Sequence, residues 1–304
     1  MLAVTQPLIS SVHYQMAEMP SISVITPSYN QGDFLESTIR SVLDQDYPHL
    51  EYIIIDGGST DKSVDIIRNY ADRLACWVSE PDHGQAHAIN KGFAMASGDI
   101  LCWINSDDLL APGALHRVAE HFAENPNSVW CGGGCRYMDE AGNELSDITI
   151  LPDSGLACWL THIKFRKGIF LQPSTFWRKE AIQAVGMLRE DMDYAFDFEF
   201  FYRLRKRYGP QIRLDATLSK FRLHRASKSV SASEMFLLEM IDIARNELPS
   251  LPGVDRKIVR TWLKDERGQE CFLRQQKALL QADRLGHWQW RMLGWANRLV
   301  RRPS

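Results

Sequence analysis

The apolar run Ile100-Leu101-Cys102-Trp103-Ile104 ends in Asn105-Ser106-Asp107-Asp108, with Pro112 close behind. A buried strand ending on two adjacent carboxylates sets like charges side by side against an apolar core, which is costly unless they are neutralised. A divalent cation that favours hard oxygen ligands, magnesium or manganese, is the usual partner, and it would in turn hold a diphosphate. A solvated turn with Asp108 as the cap of a helix opened by Pro112 suits the same residues equally well. A second acidic cluster lies in Tyr194-Ala195-Phe196-Asp197-Phe198-Glu199-Phe200-Phe201-Tyr202-Arg203-Leu204. On a helix Asp197 shares a face with Phe201, while Glu199 points elsewhere. His83 and His87 could share a helix face and suggest zinc, but no third ligand stands nearby and residues 82–84 read as loop.

The elements that would position these groups alternate from about 21 to 105. Strand-like runs at 21–27, 51–56, 76–79 and 100–104 are separated by helical spacing through Phe34–Leu43, Val64–Ile67 and 85–96. The β-branched run Ile53-Ile54-Ile55 suits burial on both faces. Ser59-Thr60-Asp61 offers helix caps. Four β-α repeats predict an α/β fold with a mostly parallel central sheet flanked by helices. In such sheets ligands bind beyond the carboxyl ends of the strands. Three of those ends carry polar clusters: Thr26–Asn30, Asp56–Asp61 and Asn105–Asp108. The first turn reads Thr26-Pro27-Ser28-Tyr29-Asn30-Gln31-Gly32, so neither a dinucleotide fingerprint nor a P-loop is present. After Pro112 one more helix precedes a hairpin-like strand and turn over 129–143; from about Ser231 the chain reads as helical. This predicts an N-terminal extension over 1–20, an α/β domain over 21–226, which the resemblance below makes the catalytic domain, and a helical C-terminal region over 227–304.

Composition narrows the classes. A net charge of −3 over 304 residues argues against a nucleic-acid partner. No apolar run approaches a membrane span, and Met1–Pro20 lacks the plan of a signal peptide. Six scattered cysteines fit neither a zinc ribbon nor a disulfide scaffold, and the expected compartment is the cytoplasm. In the last segment Trp288, Met292, Trp295 and Leu299 share one helix face, with arginines largely elsewhere. That suits a helix over 286–302 lying on an anionic membrane, peripheral at the inner face of the plasma membrane, or packed on the catalytic domain or a dimer partner.

Ile25-Thr26-Pro27-Ser28-Tyr29-Asn30, Ile54-Ile55-Asp56-Gly57-Gly58-Ser59-Thr60-Asp61, and Asn105-Ser106-Asp107-Asp108 with Pro112 together resemble the inverting family 2 glycosyltransferases of GT-A fold, over residues 20–225. The resemblance implies a nucleotide-diphosphate sugar donor, with a UDP-sugar favoured, a divalent cation (Mn2+ or Mg2+), and an acceptor hydroxyl deprotonated by a carboxylate. It implies donor contacts from Thr26, Pro27, Tyr29, Asp56, Asp82, Asn90, Asn105, Ser106 and Asp107. Gly57 stands where many relatives carry a second acid, and Asn105 where they carry the first acid of the metal motif. The cation then falls to Asp107 with His224, Asp108 supports them, and Arg225 or Lys228 meets the diphosphate. Asp197 becomes the general base with Glu199 as a supporting acid, and Gln172 and Trp177 become acceptor-side contacts. The Q-x-x-R-W motif of processive synthases is absent. The expected activity is a single hexosyl-type addition to a glycan or lipid-linked acceptor in cell-surface glycan or polysaccharide biosynthesis. The alternatives are a catalytically inactive sugar-nucleotide-binding module and a nucleotidyltransferase of related fold.

Overall fold

The computed structural model describes residues 19–162, 168–224, 233–265, 267, 269 and 270. Strands β1 (Ile22–Ser28), β2 (Leu50–Asp56), β3 (Cys76–Ser79) and β4 (Ile100–Trp103) alternate with helices α1 (Leu35–Leu43), α2 (Ser63–Asn69) and α3 (Gln85–Met95). Every residue of β1 and β4 is buried; β4 accordingly reads as a continuous apolar run, while β1 also buries Ser23, Thr26 and Ser28. All three pairings in this half are parallel, and Ser28 pairs with Asp56, which pairs with Ser79. Their carboxyl ends therefore share one edge. Trp103 pairs with Ile25, so Asn105–Asp108 carry the chain on to that same edge.

Beyond β4 the sheet becomes mixed. It continues through β5 (Leu109–Leu110), α4 (Ala114–Glu124), β6 (Trp130–Met138), β7 (Glu144–Asp147), α5 (Leu156–Thr161), β8 (Thr175–Arg178), α6 (Glu180–Val185), α7 (Phe196–Tyr208) and β9 (Ile212–Arg222). The strand order is β3-β2-β1-β4-β8-β6-β9-β5, with β7 paired to β6. The helix expected to open at Pro112 starts instead at Ala114, after Gly113 in a left-handed conformation at φ 73°. Leu109–Leu110 are captured as a short strand by Ser219 and Lys220 of β9, which delays that helix.

An aromatic cluster joins the two halves. Trp103 stacks on Phe201 at 5.3 Å, and Trp177 lies 5.6 Å from Trp103 and 5.2 Å from Phe200. Phe93 completes the group at 5.7 Å from Trp177, so α3 and α7 are both clamped onto β4 and β8. Helix α3 approaches β1 closely at Gly92, where a Cβ would lie 2.5 Å from Ile25 Cγ2. Two further helices follow, α8 (Ser233–Glu247) and α9 (Gly253–Leu263). Their Leu237, Met240, Ala244, Val259 and Trp262 are buried in the same hydrophobic core. No helix among the described residues is long and apolar enough to cross a membrane. The 286–302 segment and most of the N-terminal extension lie outside the described residues.

Candidate functional site

The turn after β4 is pinned from several directions. The Thr38 hydroxyl of α1 lies 2.9 Å from the Ser106 carbonyl and 2.8 Å from that of Asp108. Arg222, at the end of β9, donates its backbone N–H to Asp108 Oδ1 (2.9 Å) and its Nε–H to the Asp107 carbonyl (2.8 Å). Its other guanidinium nitrogens reach the Glu140 carbonyl (3.0 Å) and Ser37 Oγ (3.2 Å). The paired aspartates are thereby made unequal. Asp108 is buried, and burial followed by the charge of Asp107 pushes its carboxyl well above the usual range. Asp107 stays part-exposed, with Oδ2 2.8 Å from His224 Nε2. The His224 ring is itself wedged against Phe34, with centroids 4.6 Å apart.

Asp107 and His224 thus offer one carboxylate and one imidazole at a single point. Among the described residues no group of three or more His, Cys, Asp or Glu could hold a metal. Two protein donors with open positions fit a divalent cation whose shell is completed by diphosphate oxygens and water, and do not fit a closed structural site. The His83 and His87 rings lie 4.9 Å apart, tilted by 56°, with no third donor among the described residues. Arg225 and Lys228 lie outside the described residues.

Around this pair the expected site residues separate into two sets. Asn105 stands part-exposed beside the pair: its Oδ1 accepts from Gln85 Nε2 at 2.9 Å, and its Nδ2 donates to Gln172 Oε1 at 3.1 Å. Gln172 is anchored in turn by donating to the Trp103 carbonyl at 2.9 Å. Tyr29, 61 % exposed at the end of β1, leaves its ring free for a planar partner. Asp82 accepts the Gly84 N–H at 2.8 Å and covers Gly57, where a Cβ would lie 2.5 Å from its Oδ2. The Asp82 carboxylate thus fills the space that a side chain at position 57 would enter.

Several other residues expected to contact the donor are buried or already engaged by protein partners. Thr26 is fully buried with its hydroxyl 3.0 Å from Tyr52 Oη, and Pro27 is buried beside it. Asp56 is fully buried, accepting the N–H groups of Gly58 and Ser59 and the hydroxyls of Ser59 and Ser79, so its lone pairs shape the 57–59 loop. Asn90 spends its amide on Leu188 and Glu190, tying α3 to the segment before α7. Ser106 is buried and meets Thr38 through its carbonyl. On the acceptor side Trp177 is fully buried in the aromatic cluster and cannot touch a sugar. Glu199 is buried and held by Arg203 Nε at 2.9 and 3.0 Å, facing away from Asp197 as helical spacing requires.

Asp197 sits in the first turn of α7, part-exposed, with Oδ1 accepting the Phe198 N–H at 2.6 Å. Burial pushes its carboxyl up to about 6, and the negative charge of Glu239 adds to the rise. Its segment approaches the turn before α3: a Cβ on Gly84 would lie 3.9 Å from Asp193 Oδ1, and Gly84 precedes the Gln85 that holds Asn105. Sequence reasoning missed Gln85, Arg222 and Glu239. Arg222 had a readable signal, a charge inside a strand beside His224; Gln85 and Glu239 act through contacts distant in sequence and left none.

The model of glycosyl transferase family 2 matches residues 23–180, more than half of the chain. An uncharacterized glycosyltransferase of Haemophilus influenzae is 37 % identical over 134 residues, covering 43 % of this chain and 53 % of that protein. A candidate teichuronic acid biosynthesis glycosyltransferase of Bacillus subtilis, TuaG, is 36 % identical over 138 residues, 44 % of this chain and 54 % of that protein. The chain thus spans about half the length of these relatives. Residues 1–349 of S. aureus TarS in complex with UDP-GlcNAc superpose with a TM-score of 0.61 at 19 % identity, over 80 % of this chain and 71 % of that one. A Pyrobaculum calidifontis mannosyltransferase in complex with GDP-Man and Mn2+ gives 0.59 at 18 % identity, over 92 % of this chain and 80 % of that one. The fold is GT-A.

Proposed function

Because the chain belongs to glycosyl transferase family 2, we propose that it transfers one hexosyl-type sugar from a nucleotide-diphosphate sugar, a UDP-sugar by preference, to an acceptor hydroxyl with inversion. The observation that carries the reading is the meeting of Asp107 and His224, 2.8 Å apart, at the carboxyl edge of the parallel strands. A divalent cation, Mn2+ or Mg2+, held by these two would neutralise the charge that gathers on the departing diphosphate. The mixed oxygen and nitrogen donors favour manganese. Tyr29 packs on the base, Asp82 and Asn105 bind the ribose and sugar side, and Gln172 faces the acceptor.

Asp197 takes the proton from the acceptor hydroxyl as that oxygen attacks the anomeric carbon. The bond from that carbon to the diphosphate breaks with its electron pair leaving on the phosphate oxygen, and no enzyme-bound sugar forms. A carboxyl raised to about 6 is ionised at neutral pH yet basic enough to accept this proton, which supports the assignment. The acceptor is a glycan or lipid-linked hydroxyl. The arginine-rich 286–302 segment supports peripheral contact with the inner face of the plasma membrane, and the TuaG likeness supports a role in surface polysaccharide synthesis.

The test is a panel of nucleotide sugars with Mn2+, scored by release of nucleoside diphosphate, beside titration of UDP into wild type and Asp107→Asn. Sugar-dependent release, with Mn2+-dependent UDP binding that Asp107→Asn loses, is expected. Binding without turnover on any donor or acceptor identifies an inactive module, and release of sugar 1-phosphate in place of nucleoside diphosphate identifies a nucleotidyltransferase.

A further inference from the structure

Glu239 lies on α8, more than forty residues beyond the acidic cluster, yet it is bonded to the segment that delivers Asp197. Its Oε1 accepts the backbone N–H of Asp193 at 2.9 Å, and its Oε2 accepts those of Tyr194 and Ala195 at 3.0 and 2.6 Å. These are three consecutive amides, and Ala195 immediately precedes α7. Amides entering a helix have no intrahelical acceptor, and Ala195, the residue that opens α7, has no side-chain cap of its own. A carboxylate from another helix supplies the missing acceptor and complements the positive end of the helix dipole.

The same helix pair is fastened again further along. Lys206 Nζ donates to Glu247 Oε2 at 2.6 Å and to Ser250 Oγ at 3.1 Å. Contacts that advance together on both helices mean that α7 and α8 run in the same direction. Apolar packing through Met240 and Ala244 explains why they dock. It does not explain why one carboxylate gathers three amides two to four residues ahead of Asp197.

We propose that Glu239 is a positioning residue: by clamping the Asp193–Ala195 amides it sets the first turn of α7 and thereby the place of Asp197, making α8 part of the catalytic apparatus. This rests on Asp197 being the base. A displacement of about an ångström at a catalytic group costs on the order of a hundredfold in rate. The proposed donor residues Tyr29, Asp82, Asn105, Asp107 and His224 follow β1, β3, β4 and β9, and none lies on α7 or α8, so donor affinity should be spared.

The experiment uses the full chain as wild type, Glu239→Gln, Glu239→Ala, Lys206→Ala and Asp197→Asn. It reads hydrogen–deuterium exchange of the 193–199 amides, and kcat and KM by UDP release from the UDP-sugar that wild type turns over fastest. Glu239→Ala should expose the 193–195 amides and lower kcat about a hundredfold with KM for the donor within about twofold. Glu239→Gln keeps the shape but turns an N–H toward an N–H, so a loss of about tenfold in kcat is expected. Lys206→Ala should leave kcat within about twofold. Unchanged exchange in Glu239→Ala, wild-type kcat in both Glu239 variants, or an equal loss in Lys206→Ala overturns the proposal. An active Asp197→Asn overturns the base assignment instead, whatever the Glu239 variants do. If no UDP-sugar is turned over, the exchange measurement alone decides the clamp.

Discussion

Replacing Asp197 by Asn should stabilise the protein above pH 6 and have little effect on stability below pH 4. In the unfolded chain the carboxyl ionises near its ordinary 3.8, whereas in the folded protein burial holds it at about 6. Below 3.8 both states are protonated and the site costs nothing. Between 3.8 and 6 the unfolded state releases its proton first, so stability falls as pH rises; above 6 both are ionised and the full cost is present. Moving a carboxyl from 3.8 to about 6 corresponds to up to about 3 kcal/mol. Asn carries no charge and keeps an oxygen for the Phe198 N–H, now accepted by Oδ1 at 2.6 Å. Paired urea unfolding of wild type and Asp197→Asn from pH 4 to 8 isolates this group, since every other carboxylate is common to both. With a slope of about 3 kcal/mol per molar urea, the variant's midpoint should lie up to about 1 M higher at pH 7.5, and the gap should close toward pH 4. A gap that does not change with pH, or a wild type more stable above pH 6, would refute the reasoning.

Other perturbations separate core from site. Gly92→Ala should destabilise by about 1–3 kcal/mol in thermal unfolding, because its Cβ meets Ile25 Cγ2 at 2.5 Å; a gain in stability, as helix propensity alone would give, contradicts the packing. Trp177→Ala should cost about 3–5 kcal/mol as an excised core residue, while Gln172→Ala should cost about 1 kcal/mol and lower acceptor turnover, as denaturant titration and steady-state rates would show. Arg222→Met removes the guanidinium bonds that hold the Asp107 carbonyl and the 140 loop, and should weaken Mn2+-dependent UDP binding about tenfold by calorimetry.

The strand ends were legible because parallel strands buried on both faces are mostly apolar along their length, so the polar clusters around Tyr29, Asn105 and Asp107 stand out. The same burial hides direction. A strand with no polar face carries no alternation to show that Thr26 and Asp56 turn inward, and both are consumed by tethers to Tyr52 and the 57–59 loop. Trp177 misled because aromatic residues serve sugar contacts and cores alike. The separation of Asp197 from Glu199 followed from helical spacing, and Arg203 takes up the latter. The Glu239 clamp had no local signal, since its meaning depends on α8 docking beside α7. The mixed half of the sheet was equally hidden, because β9 joins β6 and captures β5 through pairings that no nearby residue announces.

The central claim is that Asp197 performs the proton transfer while Asp107 and His224 serve the donor. The most direct test compares Asp197→Asn with wild type at pH 7.5, reading sugar transfer and Mn2+-dependent UDP binding on the same preparations. The account predicts loss of transfer by a factor of about a thousand with UDP affinity unchanged. Transfer at the wild-type rate, or loss of UDP binding together with transfer, would contradict it.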